Sequence, residues 1–307
     1  MKKEITIVTA YFDIGRKQFK NYERDNNKYI EYFKFWARIK NNIVVYTQPE
    51  FKEEIIKIRK NFGLENKTKV ITIDNIYEIE SEIYKKMVDI EKSKYFRNYK
   101  YINTTPENKA DYNYIMFLKS WCLMETVKKK YNKTDFLAWL DFGFNHGGAV
   151  YTNPLEFDYL WEYDFEDKIY FFTPYGDNDK PIFHLVQSGE VCVSGTPYFV
   201  PAKLMGDYWN LMLSSMNSLL DVGLMDDDQT ILLMAYRKNK DIFKLIKSDW
   251  FMPIKEYGGN HLTTIKSSQS KRQENIINKL IYKYRVKKRN NKYLKRISTI
   301  FLKDYLD

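Results

Sequence analysis

The chain has 307 residues, 44% hydrophobic and 29% charged, with two cysteines and a net charge of +10. That length holds one large domain or two small ones, and the composition is that of a globular protein rather than a disordered or fibrous one. No stretch reaches the roughly 20 apolar residues of a membrane-spanning helix, no Cys/His cluster has zinc spacing, and Met1–Thr6 runs into a strand pattern without a secretory leader, so a reducing, cytoplasmic setting is expected.

In chain order, Glu4–Thr9 alternates and is β-branched, which predicts a first strand. A loop over Ala10–Arg16 leads into a helical stretch to about Arg38, with Tyr29, Ile30, Phe33 and Trp36 at helical spacing. Ile43–Tyr46 predicts a second strand, Phe51–Asn61 a helix stopped by Gly63, and Val70–Ile73 a third strand. This β-α-β-α-β order predicts parallel strands with right-handed crossovers. Asn75–Tyr101 is expected to be helical and Thr104-Thr105-Pro106 to break it, with a further helix over Asp111–Tyr131.

Phe136-Leu137-Ala138-Trp139-Leu140-Asp141-Phe142-Gly143 is the most informative stretch. Five apolar residues running into one carboxylate predict a strand buried on both faces, as in a parallel sheet. Ligands of open α/β sheets bind at the carboxyl ends of such strands, so Asp141 stands where a ligand would be held, and Gly143 allows close backbone approach. Lys168–Thr173, Val191–Val193 and Tyr198–Val200 are further expected strands. Pro201 is expected to open a helix to about Leu220. Asp226–Lys238 follows as a helix and Ile242–Ile246 as a last strand.

Charge is uneven. Leu262–Asp307 holds thirteen Lys/Arg against three acids, while residues 1–261 are formally neutral with 37 of each sign. Leu262–Gln273 is a candidate linker. Beyond it, Ile276, Ile277, Leu280, Ile281 and Tyr284 share one helical face, and Leu294, Ile297, Phe301 and Tyr305 another. The expected organisation is a body over 1–261 and a basic amphipathic helical tail over 262–307. Residues 271–306 would rest on an anionic inner-membrane surface or pack on the body. Neutrality of the body argues against nucleic acid as partner.

Four constellations carry chemistry. Asp141 either holds a ligand or caps the following turn. Asp226-Asp227-Asp228-Gln229 opens a helix, where one acid suffices as a cap; three in succession repel and raise a pKa, which suits a general base. Asp228 leads as catalytic candidate, with Asp227 and Gln229 beside it. The loop Thr9-Ala10-Tyr11-Phe12-Asp13-Ile14-Gly15-Arg16 follows the first strand, where a nucleotide is contacted in doubly wound folds. Asp13 would meet base or ribose there and Arg16 a phosphate. Lys119 ends an apolar run and either snorkels outward or meets the phosphates. His146, His184 and His261 default to loop histidines, though Gly258-Gly259-Asn260-His261 offers a further metal or phosphate contact. No Walker loop, Gly-x-Ser-x-Gly or Gly-x-Gly-x-x-Gly occurs.

Together Thr9–Arg16, Phe117–Trp121, Trp139–Gly143, Ser194-Gly195-Thr196 and Asp226–Gln229 resemble the WlaTC/HtrL (HtrL/YibB) family of bacterial proteins. The resemblance spans roughly residues 5–262. It implies a single α/β domain of glycosyltransferase-A, Rossmann-like type with a mostly parallel central sheet. It further implies a nucleotide-sugar donor, such as a UDP-sugar, and hexosyl transfer to a surface glycan of lipooligosaccharide or capsule type or to a lipid-linked acceptor. Donor contacts would be Thr9, Ala10, Tyr11, Asp13, Arg16, Lys119, Asp141 and Gly143. Asp141, with His261, would hold a divalent cation, Mn²⁺ or Mg²⁺, although Gly143 stands where metal-dependent relatives of that fold carry a second Asp. The competing expectation is a metal-dependent phosphatase or hydrolase built on the same acidic strand end.

Overall fold

The computed structural model describes residues 2–19, 23–101, 105–177 and 179–265. Strand β1 (Lys3–Tyr11) leads to helix α1 (Asn26–Trp36), capped by the Asp25 carboxylate, which accepts from the Lys28 N–H. β2 (Ile43–Thr47), α2 (Lys52–Lys60) and β3 (Thr68–Thr72) complete the first half. α3 (Ser81–Lys92), α4 (Lys94–Tyr99) and α5 (Ala110–Lys128) follow, then β4 (Phe136–Trp139), all of it buried. The second half comprises β5 (Glu162–Tyr163), β6 (Ile169–Thr173), α6 (Ile182–Ser188), β7 (Tyr198–Pro201), α7 (Met205–Leu220), α8 (Asp228–Lys238), β8 (Phe243–Lys247) and α9 (Pro253–Glu256).

The sheet order is β3-β2-β1-β4-β7-β6-β8, with β5 paired antiparallel to β1. β1, β2, β3 and β4 pair in parallel, as do β6 and β8; β7 runs antiparallel to both β4 and β6. This is the α/β domain with a mostly parallel central sheet that the strand patterns predicted. Strand order reverses at β1, which has β2 on one side and β4 on the other, so a crevice opens beyond their carboxyl ends. Alternation splits the core in two. Val8, Val44, Leu137 and Trp139 pack with α3, α5, α7 and α8, while Ile5, Ile7, Ile43 and Ala138 pack with α1 and α2. Arg59 braces the second layer, donating to the carbonyls of Ala37, Ile39 and Asn41 at 2.6, 2.6 and 2.9 Å.

Three local expectations are corrected. The helix expected over Asn75–Tyr101 is broken. Asn75 caps a short turn, Glu80 adopts φ 46°, and Ser93 ends α3 and caps α4, because both side chains offer the backbone a cap in place of the helical bond. Val191–Val193 forms no strand. Cys192 and Val193 are apolar because they are buried in the core, which a short apolar run does not distinguish from pairing. Pro201 closes β7 rather than opening a helix; α7 begins after a turn over Ala202–Leu204. The compact unit extends over Met1–Thr263. The tail helices expected over 271–306 lie outside the described residues. Among the described residues no helix is long and apolar enough to cross a membrane.

Candidate functional site

The crevice beyond β1 and β4 is a cleft of about 380 Å³. Its sides come from the end of β1 and the loop that follows (Ala10–Arg16), Arg24 and the first residue of α1 (Asn26), α5 (Tyr112–Lys119), the turn after β4 (Asp141–His146) and Trp250–Phe251.

A buried charge cluster forms the floor. Lys119 Nζ lies 2.9 Å from Asp141 Oδ1 and 2.8 Å from Asp228 Oδ2, and donates to the Gly195 carbonyl at 3.3 Å. The ammonium has three donors and three acceptors around it. Its approach to Asp228 Oδ2 is short but poorly angled, so that oxygen accepts no well-formed hydrogen bond and the contact is chiefly electrostatic. Side-chain exposure is 6% for Lys119, 5% for Asp228 and 35% for Asp141, so Asp141 alone of the two acids is turned to the opening. Burial opposes the charge on Lys119, but the two carboxylates outweigh it and hold its pKa above the ordinary value. Burial raises the Asp228 pKa, against the pull of Lys119 and with help from Asp141.

Trp139 Nε1 donates to Asp141 Oδ1 at 2.7 Å, and the Asp141 N–H donates to Thr196 Oγ1 at 2.9 Å. Gly195 makes this closure possible: a Cβ there would overlap the Asp228 carboxyl group. Because β7 runs against its neighbours, its start lies at the rim where β4 ends, which brings Gly195 and Thr196 to Asp141.

The wall after β1 is knitted by side chains. Tyr11 OH donates to Asn26 Oδ1 at 2.6 Å, Asn26 Nδ2 to Asp13 Oδ2 at 2.9 Å, and the Gly15 N–H to Asp13 Oδ1 at 2.8 Å. Tyr11 stacks on Phe142, and Phe142 on Phe33, at centroid distances of 5.0 and 4.5 Å. Arg16 lies over Tyr112 and Arg24 over Tyr29, 5.2 and 5.9 Å from the ring centroids. Among the described residues neither guanidinium forms an ion pair with a carboxylate, and Arg16 Nε is buried without a partner. His146 lies between Tyr32 and Phe251. Burial, with the charges of Arg24 and Arg16 against that of Asp141, lowers its pKa.

The turn after β4 holds two left-handed residues, Asn145 at φ 60° and His146 at φ 44°. Asn145, fully buried, locks this conformation: its Oδ1 accepts from the N–H groups of Val150 and Tyr151, and its Nδ2 donates to the Tyr151 carbonyl. A Cβ on Gly143 would come within 3.2 Å of the Tyr29 ring and 3.5 Å of Tyr32.

These contacts do not suit a divalent cation. Asp141 Oδ1 is already engaged by an indole and an ammonium, the ammonium fills the space between the two carboxylates, and aromatic rings crowd the position of a second acid at 143. Among the described residues no group of three His, Cys, Asp or Glu side chains is placed to hold a metal.

The cleft gathers Ala10, Tyr11, Asp13, Arg16, Lys119, Asp141 and Gly143 from the residues that sequence singled out. Thr9 is fully buried, its hydroxyl without a partner among the described residues, and is not on the cleft surface. Asp228 sits behind Lys119 rather than on the wall. Asp227 caps α8, accepting from the Gln229 N–H at 3.1 Å and from Gln229 Nε2 at 2.9 Å. Asp226 pairs with buried Lys100 at 2.9 Å. His261 is not in the cleft: its Nε2 lies 2.9 Å from the Glu156 carbonyl oxygen and its ring packs on Tyr159. Sequence reasoning missed Arg24, Asn26 and Trp250, and took His146 as an ordinary loop residue. The Gly147-Gly148 pair after His146 was the available signal of an unusual turn.

A family described as "Bacterial protein of unknown function (HtrL_YibB)" matches residues 3–257. Protein HtrL of Escherichia coli (strain K12) is 28% identical over 280 residues, covering 85% of this chain and 95% of that protein. Among solved structures, mouse xyloside xylosyltransferase 1 in its apo form is similar at a TM-score of 0.41 and 12% identity, over 78% of this chain and 84% of that one. The PaToxG glycosyltransferase is similar at a TM-score of 0.34 and 11% identity, over 78% and 71%.

Proposed function

The chain belongs to the HtrL/YibB family, and from that premise we propose that it is a glycosyltransferase that binds a nucleotide sugar in the cleft beyond β1 and β4. The observation that carries this reading is the cleft's make-up at the point where strand order reverses: a carboxylate on the floor, two guanidinium groups on the wall and stacked aromatic rings between them. A diphosphate fits the guanidiniums, sugar and ribose hydroxyls fit the acid, and a base or sugar face fits the rings.

The reaction would break the bond between the anomeric carbon and the diphosphate oxygen and form one to an acceptor hydroxyl, with that proton leaving to a base or to water. Asp141 faces the opening and would accept from donor hydroxyls through its outer oxygen. Lys119 fixes Asp141, and Asp228 fixes Lys119, so Asp228 serves as a positioning residue. Asp227 and Gln229 hold the start of α8. Hexosyl transfer from a UDP-sugar to a glycan or lipid-linked acceptor is the finer form of the proposal, supported by exposed Tyr175 and Phe183 in the segment that follows β6, where sugar faces would stack. A phosphatase reading would need a cluster of metal-binding acids, which the cleft's donor set does not supply.

The test is incubation of the purified full chain with a panel of nucleotide sugars, reading nucleoside diphosphate release with and without glycan acceptors. Acceptor-dependent release abolished by Asp141→Asn is expected. Phosphate release from simple phosphoesters with no sugar transfer would favour the hydrolase.

A further inference from the structure

We propose that Arg16 and Arg24 neutralise the donor's diphosphate directly, without a divalent cation. The inference rests on the glycosyltransferase reading and adds to it how the anion is held. Four observations carry it.

The place between the two acids that a metal would occupy holds the Lys119 ammonium, within 2.9 Å of both carboxylates. That ammonium lies against two carboxylates of the protein, so its charge is balanced by them before any ligand arrives. A second acid at Gly143 would be crowded, because its Cβ would meet the Tyr29 ring at 3.2 Å. Two delocalised cations, Arg16 and Arg24, remain on the cleft wall, carried on aromatic rings and without a carboxylate partner among the described residues.

A guanidinium presents paired donors that match phosphate oxygens, and a cation–π contact with a ring does not consume those donors. Two such groups offset the two negative charges of a diphosphate. Burial lowers the His146 pKa first and the charges of Arg24 and Arg16 lower it further, in keeping with a locally positive wall.

The experiment is calorimetric titration of the full chain with UDP, GDP and ADP, in excess EDTA and again with Mn²⁺ or Mg²⁺, on the native protein and on Arg16→Gln and Arg24→Gln. Both arginines are half-buried at the cleft wall, and melting curves of the variants verify folding. Affinity for at least one nucleotide that agrees within about twofold between the two media is expected, as is weakening of roughly tenfold or more in each folded variant. Tightening of roughly tenfold or more by the metal overturns the inference and leaves the glycosyltransferase reading standing. Unchanged affinity in both folded variants also overturns it. Absence of nucleotide binding in either medium overturns both.

Discussion

Lys119 and Asp228 meet at 2.8 Å, both almost wholly buried, although they are 109 positions apart in the chain. Removing the cation strands Asp228 in the interior and leaves the Trp139 indole to hold the Asp141 carboxylate. Lys119→Met should therefore cost about 3–5 kcal/mol in unfolding free energy. The double variant Lys119→Met/Asp228→Asn should recover at least half, since no buried charge is left uncompensated. Urea unfolding of the two proteins checks this; equal losses would show that the ammonium stabilises by some other route.

Gly195 tests the packing beneath that pair. A methyl at 195 overlaps the Asp228 carboxyl group, with Cγ only 3.0 Å away. Gly195→Ala should destabilise by about 1–3 kcal/mol and lower transfer activity by moving Thr196 and Asp141. Gly206, in α7, faces open space, and Gly206→Ala should stabilise by up to about 1 kcal/mol through helix propensity. Opposite signs in two glycine-to-alanine changes, read from urea midpoints, are the expected signature.

Asp227 supplies a pH test. Burial first, then the charges of Asp226, Asp228 and Glu107, push its pKa well above the ordinary carboxylate value. The folded state therefore binds this proton more tightly than the unfolded chain. The group's unfavourable contribution grows as pH rises from about 4, where a free carboxyl ionises, through the higher folded-state value. Asp227→Asn keeps the helix cap and removes the charge. It should raise stability by roughly 1 kcal/mol or more near neutral pH, with the gain vanishing toward about pH 4. Thermal melts across that range test the sign; a constant offset at all pH values would contradict it.

Asn145→Ala should lose three side-chain hydrogen bonds and place a Cβ residue without local support at φ 60°. A loss of about 3 kcal/mol is expected. Hydrogen exchange should rise in residues 143–151 before other segments, and donor release should slow. Uniform exchange throughout the chain would show that the turn is not an independent element.

The central strands were legible because burial on both faces leaves a plain signature, as in Phe136–Leu140, and the loop after β1 because a switch point always places one there. Asp141 followed from the same rule. The acid triplet was read as mutual repulsion poised for base chemistry. Burial and then that repulsion do raise the Asp227 pKa, but Asp226 and the extended cap Asp227 precede α8 and only Asp228 lies in it, so the three side chains part company. One acid turns to Lys100, one to its own backbone and one to Lys119. Adjacency in the chain says nothing of those partners. Arg24 and Asn26 escaped notice since only the closure of Tyr11 on Asn26 brings them to the wall. Gly195 was quoted with Ser194 and Thr196, but its part in seating Asp228 was not legible because that acid arrives from a different element.

The reversed strand β7 has a consequence for how the fold varies. Residues 174–177 and 179–197 lead from the carboxyl end of β6 to the start of β7, and Leu185, Val186, Cys192 and Val193 on that path are buried in the core while Tyr175 and Phe183 are exposed. Composition is free to change around Tyr175 and Phe183, while the core residues and the Gly195-Thr196 pair hold the strands and Asp141 in place. Exchange of those exposed positions between relatives should remodel the surface there without rebuilding the scaffold.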